Sequence, residues 1–294
     1  PWPGDPSRPW NSDGRLALLP PTLGGQVIAW AQAYLLHHLT GEPWRFTPGQ
    51  KRFLYLWYAV SPVTGRFLYR SGVKRGAKGT GKDPLGAAVA WIEACGPCQL
   101  DGLDASGQPV GVERGMSKVQ VAANSLAQAG EILEVARGMV SDALADDYDV
   151  DAGITRIVTA TGRIELLTAS ERSMEGAPAT AVLLNESHHM TESSGGHKVA
   201  RVARRNVAKS PAYVQARLLE LTNAHLSGED SVAEQSFTAW QDQLRPGARR
   251  QDILYDSIEA PPGTDVYDDA SALAGLRAAY GDAPWADLDR LRDE

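Results

Sequence analysis

The stretch Arg75-Gly76-Ala77-Lys78-Gly79-Thr80-Gly81-Lys82-Asp83 decides the fold of this chain. Its two outer glycines and its lysine have the spacing G-x-x-x-x-G-K of a phosphate-binding loop. In such a loop, backbone N–H groups and a helix N-terminus surround a polyphosphate, and the lysine contacts the outer phosphates. The usual pattern continues with Ser or Thr, whose hydroxyl binds Mg²⁺, but here the next residue is Asp83.

The flanking sequence supports this interpretation. Short Gly/Lys patterns arise by chance in a chain with 29 glycines, so the context has to confirm the loop. Residues 67–70 are typical of a strand, and residues 84–92 predict a helix with Pro84 in its first turn. The predicted order is therefore strand, loop and helix, as a phosphate-binding loop requires.

A second motif follows about a hundred residues later, where the apolar run 181–184 ends in Asn185 and Glu186. A buried parallel strand delivers such residues to the carboxyl edge of the sheet, where ligands bind. Nucleotide hydrolases place two acids there, one supporting Mg²⁺ and one polarising the attacking water. Glu186 fits the second role. Since Asn185 lacks the first charge, we expect Asp83 to be the Mg²⁺ ligand, with Asn185 acting through water.

Composition limits the remaining possibilities. The chain has 294 residues, 43% of them hydrophobic, and a formal net charge of −7. No apolar run reaches the roughly 20 residues that span a bilayer, which predicts a cytoplasmic protein without membrane contact. An acidic chain needs a local basic patch to bind DNA. The best candidate contains Lys198, Arg201, Arg204 and Arg205, although an ordinary solvated helix face explains this segment equally well.

The four residues Cys95-Gly96-Pro97-Cys98 match a redox motif but lie in the wrong context. Thioredoxin-like sites open a helix, whereas here the motif follows an apolar helical run and should end it. Two cysteines alone also cannot form a four-ligand zinc site. We therefore predict no redox role.

Periodicity along the chain predicts an α/β fold with a mostly parallel central sheet flanked by helices. Residues 198–209 and two segments after residue 269 also favour helix. Three parts are expected, namely an irregular and helical segment (1–45), a nucleotide-binding domain (46–245) and a small linker subdomain (246–294). The other helices are predicted at 26–39, 50–58 and 125–140, and the other strands at 119–123, 154–158, 163–167 and 218–221.

Several sequence blocks together resemble the ATPase domain of bacteriophage terminase large subunits, a P-loop NTPase fold of the ASCE type. The resemblance covers about residue 40 to the C-terminus, and the order of the blocks is more specific than any single block. Gly-Lys-Asp-Pro-Leu, at 81–85, is similar to the branch from tailed phages of actinobacteria. The blocks are 46–50, 79–85, 121–129, 184–188 and 221–224.

This resemblance implies a motor that uses ATP and Mg²⁺ to drive double-stranded DNA into a viral procapsid in the host cytoplasm. Its members work as a ring, usually a pentamer, on the portal protein and act with a small terminase subunit. They carry a second, nuclease domain, which we expect to be missing from this chain.

The resemblance also implies roles for individual residues. Gln50 would contact the adenine, 76–82 would hold the phosphates, Asp83 would lie at Mg²⁺, and Glu186 would activate water. A coupling group would sense the γ-phosphate, and an arginine finger would stabilise the transition state. The coupling residues are His188, Thr222 and Asn223, and the finger candidates are Arg75 and Arg137, acting within one subunit or between two.

Two other classes of protein remain possible at this stage. A nucleic-acid helicase would share the phosphate loop and the Glu-x-His motif, but it needs a second motor domain. A nonhydrolysing nucleotide-binding scaffold would explain the unusual residues at Asp83 and Asn185. A small-molecule kinase fits less well, because Glu186 stands where a water-activating acid belongs.

Overall fold

The computed structural model describes residues 20–167, 178–249 and 251–293. Residues 1–19 of the segment predicted to be irregular and helical (1–45) lie outside these residues. The strands are β1 (Ser71–Arg75), β2 (Gln99–Leu103), β3 (Pro109–Val112), β4 (Ser117–Ala122), β5 (Asp151–Ala152), β6 (Arg156–Thr159), β7 (Gly162–Leu167), β8 (Ala181–Asn185), β9 (Arg217–Thr222) and β10 (Ile253–Ser257).

The helices lie between these strands and after the last one. A single 3₁₀ turn, Ser187–His189, directly follows β8. The α-helices are α1 (Gly24–Tyr34), α2 (Pro48–Trp57), α3 (Lys82–Cys95), α4 (Leu126–Gly138), α5 (Asp142–Tyr148), α6 (Gly196–Lys209), α7 (Val232–Gln243), α8 (Asp269–Ala279) and α9 (Leu288–Asp293).

Within the described residues, eight strands form one sheet in the order β10-β1-β9-β8-β4-β7-β6-β5, and β2 pairs with β3 separately. The first six strands of this order are parallel, whereas β6 and β5 join antiparallel at one edge. The predicted α/β fold with a mostly parallel sheet is confirmed. Because the strands are parallel, the residues that follow β1, β8 and β9 meet at one edge.

Helix α3 connects the phosphate loop to the core. Its apolar residues are buried on nearly every side, and Trp91 donates its indole N–H to the carbonyl of Ala136 at 2.9 Å. Gly86 lies so close to the sheet that a Cβ atom there would stand 2.3 Å from Leu221. This close packing fixes the start of α3, at Lys82, against the carboxyl edge of the sheet.

The strand before the loop is β1 at Ser71–Arg75, four residues later than predicted. Gly72 interrupts the apolar pattern of this strand, but a Cβ atom there would lie 2.6 Å from the Trp57 ring. Lys74 is buried because its ammonium pairs with Asp256 at 2.5 Å. That partner belongs to β10, a strand that the sequence did not predict and that pairs in parallel with β1.

Residues 246–294 thus contribute a strand to the central sheet as well as α8 and α9. The division of the chain into three parts stays a prediction. The helix predicted at 26–39 ends earlier, at Tyr34, and the strands predicted at 154–158 and 163–167 form β6 and β7, which pair antiparallel. No described helix has the length and apolar character needed to cross a membrane.

The Cys-x-x-Cys segment ends α3, as predicted. Cys95 is the last residue of the helix, and both thiols are buried and free. Burial raises the pKa of Cys95 and the pKa of Cys98 to about 12 each, so neither thiol forms a thiolate readily at neutral pH.

A charged cluster is buried at the opposite edge of the sheet. The Arg217 guanidinium pairs with Glu93 at 2.8 Å and also donates to the carbonyl of Trp57. It lies 3.8 Å from the centroid of the Phe67 ring and 4.6 Å from that of the Tyr58 ring. Glu93 also lies 3.5 Å from a guanidinium nitrogen of Arg114. This cluster joins α3 to β9, which ends in the predicted coupling residue Thr222.

We expect Glu93→Ala to lower the free energy of unfolding by about 3–5 kcal/mol, because it leaves buried guanidinium charge without its partner. Urea denaturation measures the change. The matched control is Glu229→Ala, an exposed glutamate whose truncation should change stability by less than about 0.5 kcal/mol. Equal midpoints for the two variants would contradict a stabilising role of the buried pair.

Candidate nucleotide site

The phosphate loop has the backbone that its glycines allow. Gly79 and Gly81 have φ values of 80° and 78°, in the left-handed region that other residues rarely adopt. The Thr80 hydroxyl closes the loop by donating to the carbonyl of Ala77 at 2.8 Å. The N–H of Gly76 donates to the carbonyl of Thr222 at 3.1 Å, which ties the loop to the end of β9.

Lys82 lies inside this loop. Its ammonium donates to the carbonyls of Ala77 at 2.8 Å and of Gly76 at 3.3 Å. Burial lowers the pKa of Lys82, while the charges of Glu186 and Asp83 act in the opposite direction. Among the residues that the structure describes, the ammonium has nearby acids but donates no hydrogen bond to a carboxylate, an arrangement in which it can turn to a phosphate.

Asp83 and Asn185 carry buried polar atoms without hydrogen-bond partners. These atoms are Oδ1 of Asp83 and both side-chain amide atoms of Asn185, which is fully buried at the end of β8. Unpartnered buried polar atoms are costly unless a ligand or water satisfies them. Carboxylate and amide oxygens suit Mg²⁺, so the residues present fit this cation.

Glu186 follows β8 with an unusual backbone. Its φ of 54° lies in the left-handed region, where a residue with a side chain is uncommon and often functional. Its N–H donates to the carbonyl of Leu221 at 2.8 Å, which fixes this turn against β9. Burial raises the pKa of the Glu186 carboxyl, Lys82 opposes the rise, and Asp83 adds to it. A raised pKa makes the carboxylate a better proton acceptor.

The predicted coupling residues lie in contact with Glu186. Asn223 Nδ2 donates to Glu186 Oε2 at 3.4 Å and lies 3.3 Å from His188 Nε2. The backbone N–H of His188 donates to the Thr222 hydroxyl at 3.1 Å. Burial lowers the pKa of His188 to about 4, so its imidazole is neutral at pH 7. The four residues form one polar network across the ends of β8 and β9.

Glu186, His188 and His189 also bring one potential metal-ligating atom each within 4.8 Å of the others. The sequence has no other His or Cys at the spacing of a metal site with these histidines. Lys82 acts on both Glu186 and His188 as a neighbouring positive charge. The coupling role stays our prediction for His188.

Gln50 lies beside the loop and is only 3% exposed. Its side chain completes the N-terminal cap of α2, where Oε1 accepts the N–H of Thr47 at 3.1 Å. Its Nε2 points to the carbonyl of Gly81 at 3.5 Å. The predicted adenine contact would use this same amide group, so it stays a prediction.

The segment after α8 covers the phosphate loop, which the sequence did not predict. Tyr280 donates its hydroxyl to the carbonyl of Lys78 at 3.0 Å, and Trp285 donates its indole N–H to that of Gly79 at 2.9 Å. Asp282 accepts from the Thr47 hydroxyl at 2.5 Å and from the N–H of Gly49 at 2.7 Å. The contact leaves no motif in the sequence, because it is made by aromatic and acidic residues that lie far from the loop along the chain.

Beside the loop, this arrangement leaves a cavity of about 20 Å³, lined by Gln50, Thr80 and Asp282 among others. Such a volume holds about one water molecule, so a nucleotide cannot occupy it without movement of the covering segment. The structure therefore represents a covered phosphate loop.

We expect Mg-ATP to change the fluorescence of Trp285, because a nucleotide must displace or repack the indole that contacts Gly79. The emission spectrum is recorded with and without Mg-ATP. Trp285→Phe should lose most of the change. Trp30→Phe, which removes an indole packed against Tyr34 and Tyr148, should keep it. A change of equal size in Trp285→Phe would contradict the expected movement.

The two arginine-finger candidates have different surroundings. Arg75, at the end of β1, pairs with Glu259 at 2.6 Å beside the loop. Arg137 is exposed in the last turn of α4, whose C-terminal end packs against residues 35–38. A helix that follows a parallel strand runs back along the sheet, so this end of α4 points away from the phosphate loop. For Arg137 we therefore keep only the prediction that it acts as an arginine finger on a neighbouring subunit.

The four basic residues proposed for DNA lie on α6, and Lys198, Arg201, Arg204 and Arg205 are all exposed. They are outside the nucleotide site. The helix itself forms as predicted, whereas its contact with DNA stays a prediction.

Two curated mycobacteriophage proteins are similar to this chain in sequence. The Gene 13 protein of Mycobacterium phage D29 is 34% identical over 265 residues, covering 83% of this chain and 44% of the relative. The Gene 13 protein of Mycobacterium phage L5 matches with the same identity and coverage. The chain thus spans less than half the length of these relatives. No protein-family model matches it.

Among solved structures, the large terminase of bacteriophage HK97 shares the fold. The two superpose with a TM-score of 0.67 at 18% identity, covering 92% of this chain and 51% of that chain. The sheet order, the phosphate loop and Glu186 after β8 define a P-loop NTPase fold. The predicted resemblance to phage large terminases, and to a branch from phages of actinobacteria, is confirmed.

Proposed function

We propose that this chain hydrolyses ATP as the ATPase part of a phage large terminase and that hydrolysis drives double-stranded DNA into a procapsid. The observation that supports this most is the network in which Glu186 contacts Asn223 and His188 while Lys82 acts on it from the phosphate loop. A water-activating acid is thereby linked to the end of the next strand. This arrangement favours hydrolysis over a nonhydrolysing scaffold.

In the proposed reaction, the N–H groups of the loop and the Lys82 ammonium bind the β- and γ-phosphates. The Glu186 carboxylate accepts a proton from water as the water oxygen forms a bond to the γ-phosphorus. The bond between that phosphorus and the bridging oxygen of ADP breaks, which yields ADP and phosphate. Asn223 holds the carboxylate in place, since it already donates to Oε2 at 3.4 Å.

Asp83 and Asn185 are the residues that would hold Mg²⁺, Asn185 through water. When bound, this cation neutralises charge on the phosphates. An aspartate in the loop would provide the negative charge that the asparagine after β8 lacks. The two unusual residues would then compensate for each other.

We expect Asp83→Ser alone to abolish ATP hydrolysis, because it removes the only acid of this pair. Asp83→Ser combined with Asn185→Asp should recover part of the rate, because it restores one carboxylate at the other position. Phosphate release with Mg-ATP measures both variants. A double variant as inactive as the single one, yet folded by circular dichroism, would contradict the exchange.

Thr222, Asn223 and His188 would relay loss of the γ-phosphate to the part of the motor that grips DNA. The proposed partners are double-stranded DNA, the portal protein, a small terminase subunit and further copies of the chain in a ring, most simply a pentamer. The proposed location is the host cytoplasm, in transient contact with the procapsid. Arg75 or an arginine of a neighbouring copy would stabilise the transition state.

Hydrolysis measured over a range of protein concentrations tests this function. We expect the rate of phosphate release with Mg-ATP to rise more steeply than in proportion to the concentration of the chain, because neighbouring copies complete each other's sites. A chain that binds ATP and releases no phosphate at any concentration, with or without DNA, would overturn the proposal.

A further inference from the structure

A cavity much larger than the one beside the phosphate loop lies on the opposite edge of the sheet. Its volume is about 850 Å³, and Ser71, Leu218 and Ile253 line it at the beginnings of β1, β9 and β10. Because these strands are parallel, their beginnings lie one strand length away from the nucleotide site. Five residues of β1 correspond to about 17 Å.

Arginine side chains give this cavity its character. Arg66, Arg70, Arg204 and Arg249 line it and are exposed, and we call this surface the basic groove. Asp242 and Asp252 are the acids that face them. The groove therefore has an excess of positive charge although the whole chain has a formal net charge of −7. In an acidic chain, such a concentration indicates an anionic partner.

Much of this charge is available to a ligand. Arg66 and Arg249 form no ion pair with the residues that the structure describes. The Arg70 guanidinium contacts Asp252 at 2.7 Å but is 59% exposed, so most of its donors still face solvent. Guanidinium groups bind phosphate well because their planar donors match two phosphate oxygens at once.

Helix α6 continues the basic groove. Arg204 lines the groove, and Lys198, Arg201 and Arg205 occur at spacings of three and four residues on the exposed side of the same helix. Tyr213 is 81% exposed and follows Pro211 and Ala212, two residues of the groove wall. Tyrosine is among the side chains that donate hydrogen bonds to the phosphate oxygens of DNA.

We propose that the basic groove and the exposed side of α6 bind the phosphodiester backbone of double-stranded DNA. The surface extends over several turns of α6 and holds charge at intervals, as a polyanion requires and a single small anion does not. The choice of DNA among polyanions rests on the proposed packaging function. An acidic protein segment is the other partner that such a surface could take.

The groove is also connected to β9, the strand that ends in the predicted coupling residue Thr222. Arg204 lies 3.6 Å from the buried carboxylate of Glu220, which accepts a hydrogen bond from Ser236 at 2.6 Å. Glu220 stands two residues before Thr222 on β9. A phosphate that binds Arg204 would therefore lie near the strand whose carboxyl end contacts Glu186.

Fluorescence anisotropy with a labelled 30-base-pair duplex tests the proposal, without nucleotide and over a range of salt concentrations. We compare the 294-residue chain with the double variant Arg66→Gln/Arg249→Gln. Loss of two phosphate contacts should reduce the slope of log K against log salt by about 1.8 and weaken binding at every salt concentration. The control is Arg156→Gln/Arg163→Gln on β6 and β7, which removes the same charge elsewhere.

A wild-type chain that fails to bind the duplex at low salt would overturn the proposal. An unchanged slope of log K against log salt in the groove variant would also overturn it and would leave an acidic protein as the partner. A control variant that weakens DNA binding as much as the groove variant does would overturn it as well. ATP hydrolysis, measured in parallel, separates the two proposals. If the groove variant loses DNA binding while the wild type hydrolyses no ATP, the proposed motor function is refuted. The proposal that the basic groove binds DNA is then retained.

Discussion

Glu186→Gln should lower the rate of ATP hydrolysis by roughly 10²- to 10⁴-fold, the usual contribution of a general base. The amide has nearly the shape of the carboxylate and can still accept a hydrogen bond from Asn223, which now lies 3.4 Å from Oε2. It cannot accept the proton of the attacking water. We therefore expect the rate to fall while the affinity for ATP changes by only a few fold.

The measurement is phosphate release at saturating Mg-ATP, together with the dissociation constant of ATP from calorimetry. Glu229→Gln is the matched control, because Glu229 is an exposed glutamate in the loop after β9. This control should hydrolyse ATP like the wild type. A Glu186→Gln chain with the wild-type rate would remove Glu186 from the chemistry and favour another base.

Lys82→Ala should weaken ATP binding by roughly 10- to 150-fold, which corresponds to the loss of one hydrogen bond to a charged group. Wild-type Lys82 is 7% exposed, and its ammonium lies within the loop, 2.8 Å from the carbonyl of Ala77. Without it, the loop keeps its N–H groups but loses the charge that contacts the outer phosphates. We expect a smaller loss of ADP affinity, because ADP keeps the β-phosphate but lacks the γ-phosphate.

Titration calorimetry with ATP and with ADP gives both affinities. Lys118→Ala is the control, a truncation of a lysine that pairs with Glu165 at 3.1 Å near the start of β4. It should bind both nucleotides like the wild type. Equal losses for ATP and ADP in Lys82→Ala would place the lysine at the inner phosphates, and no loss would exclude it from the site.

The parts of the fold that sequence predicted depend on local pattern. The apolar run of β8 predicts a buried strand, and the apolar stretch of α3, which lies directly after the phosphate loop, predicts a helix. β1 and β10 were shifted or missed because their buried polar residues, Lys74 and Asp256, satisfy each other across the sheet. A pairing between residues so far apart in the chain leaves no signal in either strand alone.

The candidate site shows the same contrast. Lys82, Glu186 and the polar residues after β9 were found from motifs, and the structure places them at one edge of the sheet. Tyr280, Asp282 and Trp285 were not found, because they lie in a segment without a motif. Their contacts with the loop and with α2 depend on how that segment packs, which only the folded chain shows.

The position of β1 also limits when the site can form during synthesis. Ser71 pairs with Leu218 and with Ile253, which follow it by 147 and 182 residues. At about 5–20 residues per second, a ribosome needs roughly ten to forty seconds to reach the second partner. The phosphate loop, which begins where β1 ends, therefore emerges early but is fixed late. A nascent chain cannot complete this nucleotide site until β10 has been translated.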